Sequence, residues 1–234
     1  MSSKKTAAKK TASTPSIPVP RLYLATPLIA DPAALLKQLP ELLTGFDIAA
    51  ILLRLEQTDE RGMISCVKAI APIVQQAGVA LLIDRHFEIV ARAGADGAHV
   101  TGIEAMQEAM PSLKPDRIVG VGGLHTRHDA MVAGEAGADY VLFGEPDTEG
   151  QRPSSDAIFE RLQWWAETFE PPCVGYAATL EEAASFAATG TDFIMTADFV
   201  WSDARGPRSA LVEAAAAIAE NHAKALAPAT IARD

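Results

Sequence analysis

One short phrase occurs three times in this chain, each time with the same kind of neighbours. Gly94-Ala95-Asp96-Gly97, Gly137-Ala138-Asp139-Tyr140 and Gly190-Thr191-Asp192-Phe193 each follow a helix-like stretch and lead into a short apolar run. Glycine ends a helix well because it adopts the left-handed conformation without strain. The aspartate favours a turn, and the apolar run is typical of a buried parallel strand. The phrase therefore predicts a repeated unit of helix, turn and strand.

Eight apolar runs of this kind alternate with helix-like segments along the chain. Eight βα units close into a TIM barrel, which typically takes ~250 residues, and the 234 residues of this chain suffice for one. We therefore predict an α/β fold with a single (β/α)₈ TIM barrel over residues 21–227 and a C-terminal tail at 228–234. An open, doubly wound sheet is the alternative. The predicted strands are 21–27, 48–54, 79–83, 97–100, 117–121, 140–143, 172–175 and 193–196.

The first twenty residues differ in composition from the rest. They consist mainly of Lys, Ser, Thr, Ala and Pro, which predicts a disordered basic tail over residues 1–20. This tail has four lysines and no acid, whereas the whole chain has a formal net charge of −10. The barrel is therefore more acidic than the whole, which disfavours binding to nucleic acid or to an anionic membrane. A contact between the tail and an anionic partner stays open.

The cysteines, the apolar runs and the tryptophans of the sequence bear on the compartment and the partners of the protein. Cys66 and Cys173 fall in different predicted elements, which argues against a disulfide framework and favours the cytoplasm. No apolar run reaches the ~18 residues of a membrane span, and the N-terminus lacks the apolar segment of a secretory signal. One residue of the pair Trp164-Trp165 could pack in the core and the other at a subunit contact, so a homo-oligomer stays open.

In a TIM barrel the active site lies at the carboxyl ends of the strands. The polar residues that follow the predicted strands are rich in carboxylates and include a few cations and one candidate imidazole, His125. His99, within a strand, is interpreted as a core histidine. The main residues expected at this face are Thr26, Arg54, Glu56, Asp84, Arg85, Thr101, Glu104, His125, Thr126, Glu145, Asp147, Tyr176, Thr179, Asp198, Trp201 and Asp203.

Several segments resemble the thiamine phosphate synthase family and its TenI-like branch, the thiazole tautomerases. The resemblance covers about residues 21–200 and rests on Leu81-Leu82-Ile83-Asp84-Arg85, residues 94–100, Ile118-Val119-Gly120-Val121 with His125-Thr126, and residues 137–144. It implies a barrel that joins a hydroxymethylpyrimidine diphosphate to a thiazole phosphate and releases diphosphate. This small-molecule chemistry needs Mg²⁺ and cationic groups on the leaving diphosphate.

The resemblance assigns the leaving-group and metal roles to three residues. Arg54 matches an arginine that grips diphosphate, although the family's Gln and Lys beside it are Leu52 and Glu56 here. For Mg²⁺ it implies Asp84 and Glu104. Read without a gap, however, Arg85 stands in the position of the first metal aspartate, and an ion pair of Asp84 with an arginine is the structural alternative.

The resemblance also assigns proton transfer and substrate contacts. His125 and Thr126 match a family His-Ser/Thr pair, and the histidine is implicated in proton transfer in the TenI branch, although a nearby family serine has become Gly122-Gly123. Tyr176 and Asp198 stand where the family has a glycine and a serine that hold phosphate. A carboxylate there repels phosphate, and the loop after the sixth strand has lost a lysine and gained acids.

These residues leave three functions open. The first is thiamine phosphate synthesis with weakened phosphate sites, in which Arg54 and His125 are catalytic. The second is a TenI-like tautomerase that depends on His125. The third is a non-catalytic barrel that binds a small cationic ligand.

Overall fold

The computed structural model describes residues 17–227, and the predicted tail residues 1–16 and 228–234 lie outside the described residues. The first described residues, 17–20, form no regular element. The domain limits at 21 and 227 therefore stay a prediction.

Eight parallel strands form a closed barrel in sequence order, and the eighth strand pairs with the first, Leu22 opposite Ile194. The predicted TIM barrel is thus confirmed, and the open sheet is excluded. The strands are β1 (Arg21–Ile29), β2 (Ile48–Leu55), β3 (Ala80–Asp84), β4 (Gly97–Thr101), β5 (Ile118–Gly122), β6 (Tyr140–Phe143), β7 (Cys173–Ala177) and β8 (Phe193–Thr196).

A helix follows each strand in the chain. A 3₁₀ turn (Phe87–Ile89) precedes α3, and a short helix, α8, that the sequence pattern did not predict lies between β8 and the last helix. The helices are α1 (Ala33–Gly45), α2 (Glu60–Gln76), α3 (Val90–Ala93), α4 (Ile103–Leu113), α5 (Arg127–Glu135), α6 (Ser155–Thr168), α7 (Leu180–Phe186), α8 (Asp198–Trp201) and α9 (Pro207–Leu226).

The repeated phrase has the structure that its residues predict, with an added role for the aspartate. The three glycines that open its copies have φ between 79° and 92°, in the left-handed region. Each aspartate accepts a hydrogen bond from a backbone N–H of the preceding strand: Asp96 from Leu81 at 2.7 Å, Asp139 from Val119 at 2.6 Å and Asp192 from Cys173 at 2.9 Å. The carboxylates therefore join neighbouring strands at their amino ends, because an ionised acceptor strengthens the hydrogen bond.

Two layers of buried side chains hold the barrel. The larger layer lies between the strands and the helices. The smaller one lies inside the barrel and includes two phenols, Tyr23 and Tyr140, among its aliphatic members. In residues 17–227, no helix has both the length and the apolar character that crossing a membrane requires.

Candidate functional site

Arg54 leaves the end of β2 and lies across the mouth of the barrel. Its Nε donates to the carbonyl oxygen of Thr26, and its Nη2 lies 2.5 Å from Oδ1 of Asp198. The side chain of Arg54 is 24 % exposed and that of Asp198 is 75 % exposed. The structure thus brings together Arg54 and the acid that stands in the phosphate position. Since water screens Asp198, an incoming anion can compete for this guanidinium.

Tyr176, at the carboxyl end of β7, belongs to the same side of the mouth. Burial, together with the charge of Asp198, raises the pKa of Tyr176 above its ordinary value. Its phenol therefore stays protonated at neutral pH. The guanidinium of Arg152 lies 5.5 Å from the centre of the ring, a cation–π distance.

Arg152 is a cation of the mouth that the sequence interpretation missed. Its Nε donates to the carbonyl of Gly144 at 2.8 Å and its Nη2 to that of Tyr176 at 3.0 Å. Its Nη1 lies 2.7 Å from Oε2 of Glu182, whose side chain is only 12 % exposed. Arg152 thereby fastens the loop after β6 to β7 and α7, and its charge is paired with Glu182.

The two predicted metal ligands lie on neighbouring loops. Asp84 ends β3, and its Oδ2 lies 3.3 Å from Nε of Arg85. Glu104 is an exposed acid in the first turn of α4. Within residues 17–227, no group of three or more His, Cys, Asp or Glu side chains could hold a metal ion. Arg85 is also the one non-glycine residue of that range with positive φ, at 65°, which marks a strained position beside the site.

His125 and Thr126 follow β5 and are both exposed. Thr126 caps α5: its hydroxyl oxygen accepts from the backbone N–H of Asp129 at 3.0 Å, and Asp129 accepts in return from the backbone of Thr126 at 2.8 Å. The backbone carbonyl of His125 accepts from Arg161 at 3.1 Å. The side chain of Thr126 therefore has a structural task, whereas His125 lines the cavity described next.

A cavity of about 430 Å³ opens between the loops that follow β4, β5 and β6. This volume is in the range of small-molecule sites. Leu124 and Leu142 supply apolar walls of the cavity. The other residues that line the cavity include Thr101, Gly123, His125, Glu145, Asp147, Arg152 and Arg161.

Below this cavity, four polar side chains form a continuous chain inside the barrel. Glu145 Oε2 lies 3.0 Å from Nε2 of His99. Nδ1 of the same ring lies 3.0 Å from the hydroxyl of Tyr140, which lies 2.9 Å from the hydroxyl of Tyr23. His99 is buried, as predicted for a core histidine, but its two ring nitrogens connect the cavity to the interior.

The charges around His99 decide its protonation. Burial disfavours the charged imidazole, but the carboxylates of Glu145 and Asp84 outweigh this effect and raise the pKa of His99 above 6.5. Burial also raises the pKa of the hydroxyls of Tyr23 and Tyr140, so both stay protonated and able to donate. The chain of four residues is thus a buried acid–base system.

Two glycines of β5 make room for this chain. A Cβ on Gly120 would lie 1.9 Å from Cζ of Tyr140, and a Cβ on Gly122 would lie 2.1 Å from Oε1 of Glu145. Both glycines alternate with buried valines, so they lie on the interior face of the strand. The spacing Gly-x-Gly in β5, with a histidine at the corresponding position of β4, is the signal that could have identified these residues from sequence.

The predicted site residues therefore divide into two groups. Arg54, Tyr176 and Asp198 lie together near the ends of β2, β7 and β8, and His125 lines the cavity on the other side with Glu145. Asp84 lies between them, next to His99 in the register of β3 and β4.

Comparisons with known proteins agree with this architecture. The family model described as thiamine monophosphate synthase matches residues 22–199. A thiamine-phosphate synthase from Rhodospirillum centenum is 38 % identical over 82 % of this chain and 95 % of that protein. One from Hyphomonas neptunium is 39 % identical over 83 % of this chain and 91 % of that protein.

Among solved structures, a thiamine phosphate pyrophosphorylase from Pyrococcus furiosus has a TM-score of 0.68 at 20 % identity, covering 86 % of this chain and 96 % of that one. A 3-hexulose-6-phosphate synthase from Salmonella typhimurium has a TM-score of 0.65 at 18 % identity, covering 86 % of this chain and 100 % of that one. At these identities the structures support the fold alone. The family match and the two sequence relatives go further, and from them we conclude that this chain belongs to the thiamine phosphate synthase and TenI superfamily.

Proposed function

We propose that this protein is a transferase of the thiamine phosphate synthase type, which joins hydroxymethylpyrimidine diphosphate to thiazole phosphate. The observation that carries the proposal is the family match across residues 22–199, which includes every strand end of the mouth. In this reaction the bond between the pyrimidine methylene carbon and the diphosphate oxygen breaks. The thiazole nitrogen then forms a bond to that carbon, and diphosphate leaves.

Arg54 is the residue proposed to hold the leaving diphosphate. A guanidinium forms two parallel hydrogen bonds with phosphate oxygens and stabilises the charge that develops as the bond breaks. For this task Arg54 exchanges its exposed partner Asp198 for the substrate while it keeps its bond to Thr26. Tyr176 and Thr126 are proposed substrate contacts on either side, and His125 is the proposed proton-transfer group because it lines the cavity and its imidazole can both donate and accept a proton.

Asp84 and Glu104 are the proposed ligands of Mg²⁺. This ion commonly takes only one or two protein carboxylates and completes its shell with water and substrate phosphates, so two carboxylates on adjacent loops fit its chemistry. Bound there, Mg²⁺ would neutralise charge on the diphosphate. Arg85 beside Asp84 contributes a second positive charge at the same end of β3.

The proposal also covers the compartment and the quaternary state. Cys66 and Cys173 are both free and buried, which fits the proposed cytoplasmic location. Trp165 is buried, as expected for a core anchor, whereas Trp164 is covered in part by the guanidinium of Arg127 at 4.7 Å. A homo-oligomer therefore stays a proposal without a specific contact residue.

The test is an assay of the full chain with hydroxymethylpyrimidine diphosphate, thiazole phosphate and Mg²⁺, in which thiamine phosphate is quantified by its oxidation to a fluorescent thiochrome. We expect product from the wild type and a loss of about 100-fold or more in kcat/KM for Arg54→Met. The matched control is Arg61→Met, an exposed arginine of α2. A wild-type chain that forms no product contradicts the proposal.

A second candidate is a protein that binds a small cation, and the pairing at the mouth favours it. Arg54, Arg85 and Arg152 each have a carboxylate partner, so a phosphate must compete with a carboxylate for each of these guanidinium groups. Asp198→Asn separates the two candidates. It frees Arg54 and should strengthen diphosphate binding by a synthase, whereas it should weaken the binding of thiamine by a cation-binding protein.

A further inference from the structure

The carboxylate of Glu145 has one oxygen that the described residues leave without a partner. Oε2 faces His99, but Oε1 is buried and accepts no hydrogen bond within residues 17–227. A buried acceptor that lost its water without gaining a donor costs free energy. A ligand that brings an N–H group to this carboxylate would recover that free energy by supplying the missing hydrogen bond.

The residues around Glu145 leave space for its carboxylate. Gly122 has no side chain where Oε1 lies, and any Cβ there would overlap the carboxylate. The side chain of Glu145 keeps 18 % of its surface exposed, and it lines the cavity of about 430 Å³. A ligand in this cavity therefore meets the apolar side chains of Leu124 and Leu142 together with the partly buried carboxylate of Glu145.

Other charged groups that line this cavity are already occupied. Asp147 accepts from the backbone N–H groups of Glu149 at 2.9 Å and Gln151 at 2.8 Å within its own loop. Arg161 donates to the carbonyls of Leu124 and His125. Arg152 is bound to Glu182, as described above. Glu145 is therefore the charged group of the cavity that retains an unused buried acceptor.

We propose that Glu145 binds a planar, cationic or N–H-donating nitrogen heterocycle of the amidine type, such as an aminopyrimidine. A carboxylate offers about four lone-pair sites, of which His99 uses one, and the amino group together with a protonated ring nitrogen of such a heterocycle presents two N–H groups to the remaining sites. The cavity volume accommodates a single substituted ring. This inference rests on the proposed function, in which the pyrimidine half of the substrate needs a site, and it names the residue that selects that half.

His99, Tyr140 and Tyr23 act as positioning residues for this carboxylate. When Nε2 of His99 donates to Glu145, Nδ1 can accept from Tyr140, whose oxygen accepts from Tyr23. All the donors of the chain are then used, and the orientation of Glu145 is fixed by three buried side chains. A preoriented acceptor binds its ligand with a smaller loss of conformational freedom.

The experiment measures binding of hydroxymethylpyrimidine without any phosphate to the full chain by isothermal titration calorimetry. We expect saturable binding by the wild type and about tenfold weaker binding by Glu145→Gln, which keeps the shape and one acceptor but removes the charge. Glu149→Gln, an exposed acid on the same loop, is the matched control and should leave affinity unchanged. No binding by the wild type, or equal affinity for the wild type and Glu145→Gln, overturns the inference.

Two further measurements keep the result interpretable. If Glu145→Gln fails to fold, Tyr23→Phe, which leaves the carboxylate intact but removes the last donor, should weaken pyrimidine binding by about threefold. Unchanged affinity in that variant contradicts the positioning chain. Thiamine phosphate formation is measured separately. If pyrimidine binding depends on Glu145 but no thiamine phosphate forms, this inference stands and the proposed function fails. If thiamine phosphate forms and Glu145→Gln does not slow its formation, the proposed function stands and this inference fails.

Discussion

Replacing Gly120 by alanine should lower the free energy of unfolding more than the same replacement at any exposed glycine, because Gly120 faces the interior of the barrel. The new Cβ would lie 1.9 Å from Cζ, 2.1 Å from Cε1 and 2.3 Å from the hydroxyl oxygen of Tyr140. Since carbon atoms in contact are about 3.5–4.0 Å apart, the ring must move by roughly 1.5 Å. That displacement breaks its hydrogen bonds to Tyr23 and His99, of 2.9 and 3.0 Å.

The cost follows from two contributions. Overpacking a well-packed interior costs about 1–3 kcal/mol. Each lost hydrogen bond between buried groups costs about 1 kcal/mol more. We therefore expect Gly120→Ala to lower the free energy of unfolding by about 3–5 kcal/mol, a large part of the ~5–15 kcal/mol typical of a native protein. Urea denaturation followed by tryptophan fluorescence measures it.

Gly45→Ala is the matched control for this substitution. Gly45 ends α1, its φ is not in the left-handed region, and a Cβ added there would have no neighbouring atom within 4 Å. Alanine at such a site should change the stability by less than about 1 kcal/mol, with a small gain the expected sign. In addition, Tyr140→Leu should make Gly120→Ala less costly, because the clashing ring is gone. A loss below about 1 kcal/mol for Gly120→Ala, or strict additivity with Tyr140→Leu, would refute the packing argument.

Three further results are expected. The pKa of His99 is raised in the folded state, so protonation of His99 stabilises the protein fully below its unfolded pKa near 6.5, and this contribution is lost as the pH rises through the higher folded pKa. Urea denaturation from pH 5.5 to 8.5 should show this decline in the free energy of unfolding. The variant His99→Gln should abolish the decline. Arg152→Lys should cost about 2 kcal/mol, since lysine cannot reach Glu182 and both carbonyls together; thermal unfolding that matches the wild type contradicts this. Asp192→Ala should cost about 1–2 kcal/mol by removing the acceptor for the N–H of Cys173, measured by chemical denaturation with Asp192→Asn as the milder variant.

The fold was predictable because its signals are local. Positive φ at a glycine and a buried apolar run each depend on a few adjacent residues, so β6 and β8 have the predicted ends, 140–143 and 193–196. The short helix α8 was missed because four residues contain no helical periodicity to detect. The joining role of Asp96, Asp139 and Asp192 was also missed, since their partners lie 15 to 20 residues earlier in the chain.

The candidate site was predictable only where a motif fixes a strand end. Arg54, Tyr176 and Asp198 do lie at one face, because the carboxyl ends of parallel strands meet there. His99 and Glu145 were not recognised as a pair because they come from β4 and from the loop after β6, and no spacing along the chain relates them. Only the closure of the barrel, with Gly120 and Gly122 between them, brings the two side chains into contact.

The electrostatic character of the mouth depends on pairing more than on the number of acids in its loops. Counting residues predicts a face that repels phosphate, but the structure sets Arg152 against Glu182 and Arg85 against Asp84, so part of the acidity near the mouth is compensated. Two charged groups of the mouth keep a feature that a ligand can use. Asp198, the partner of Arg54, is solvated, and Oε1 of Glu145 is buried without a partner among residues 17–227, although its Oε2 faces His99. Under the two proposals made above, a substrate that carries a diphosphate at one end and an aminopyrimidine at the other is held by Arg54 at the first end and by Glu145 at the second.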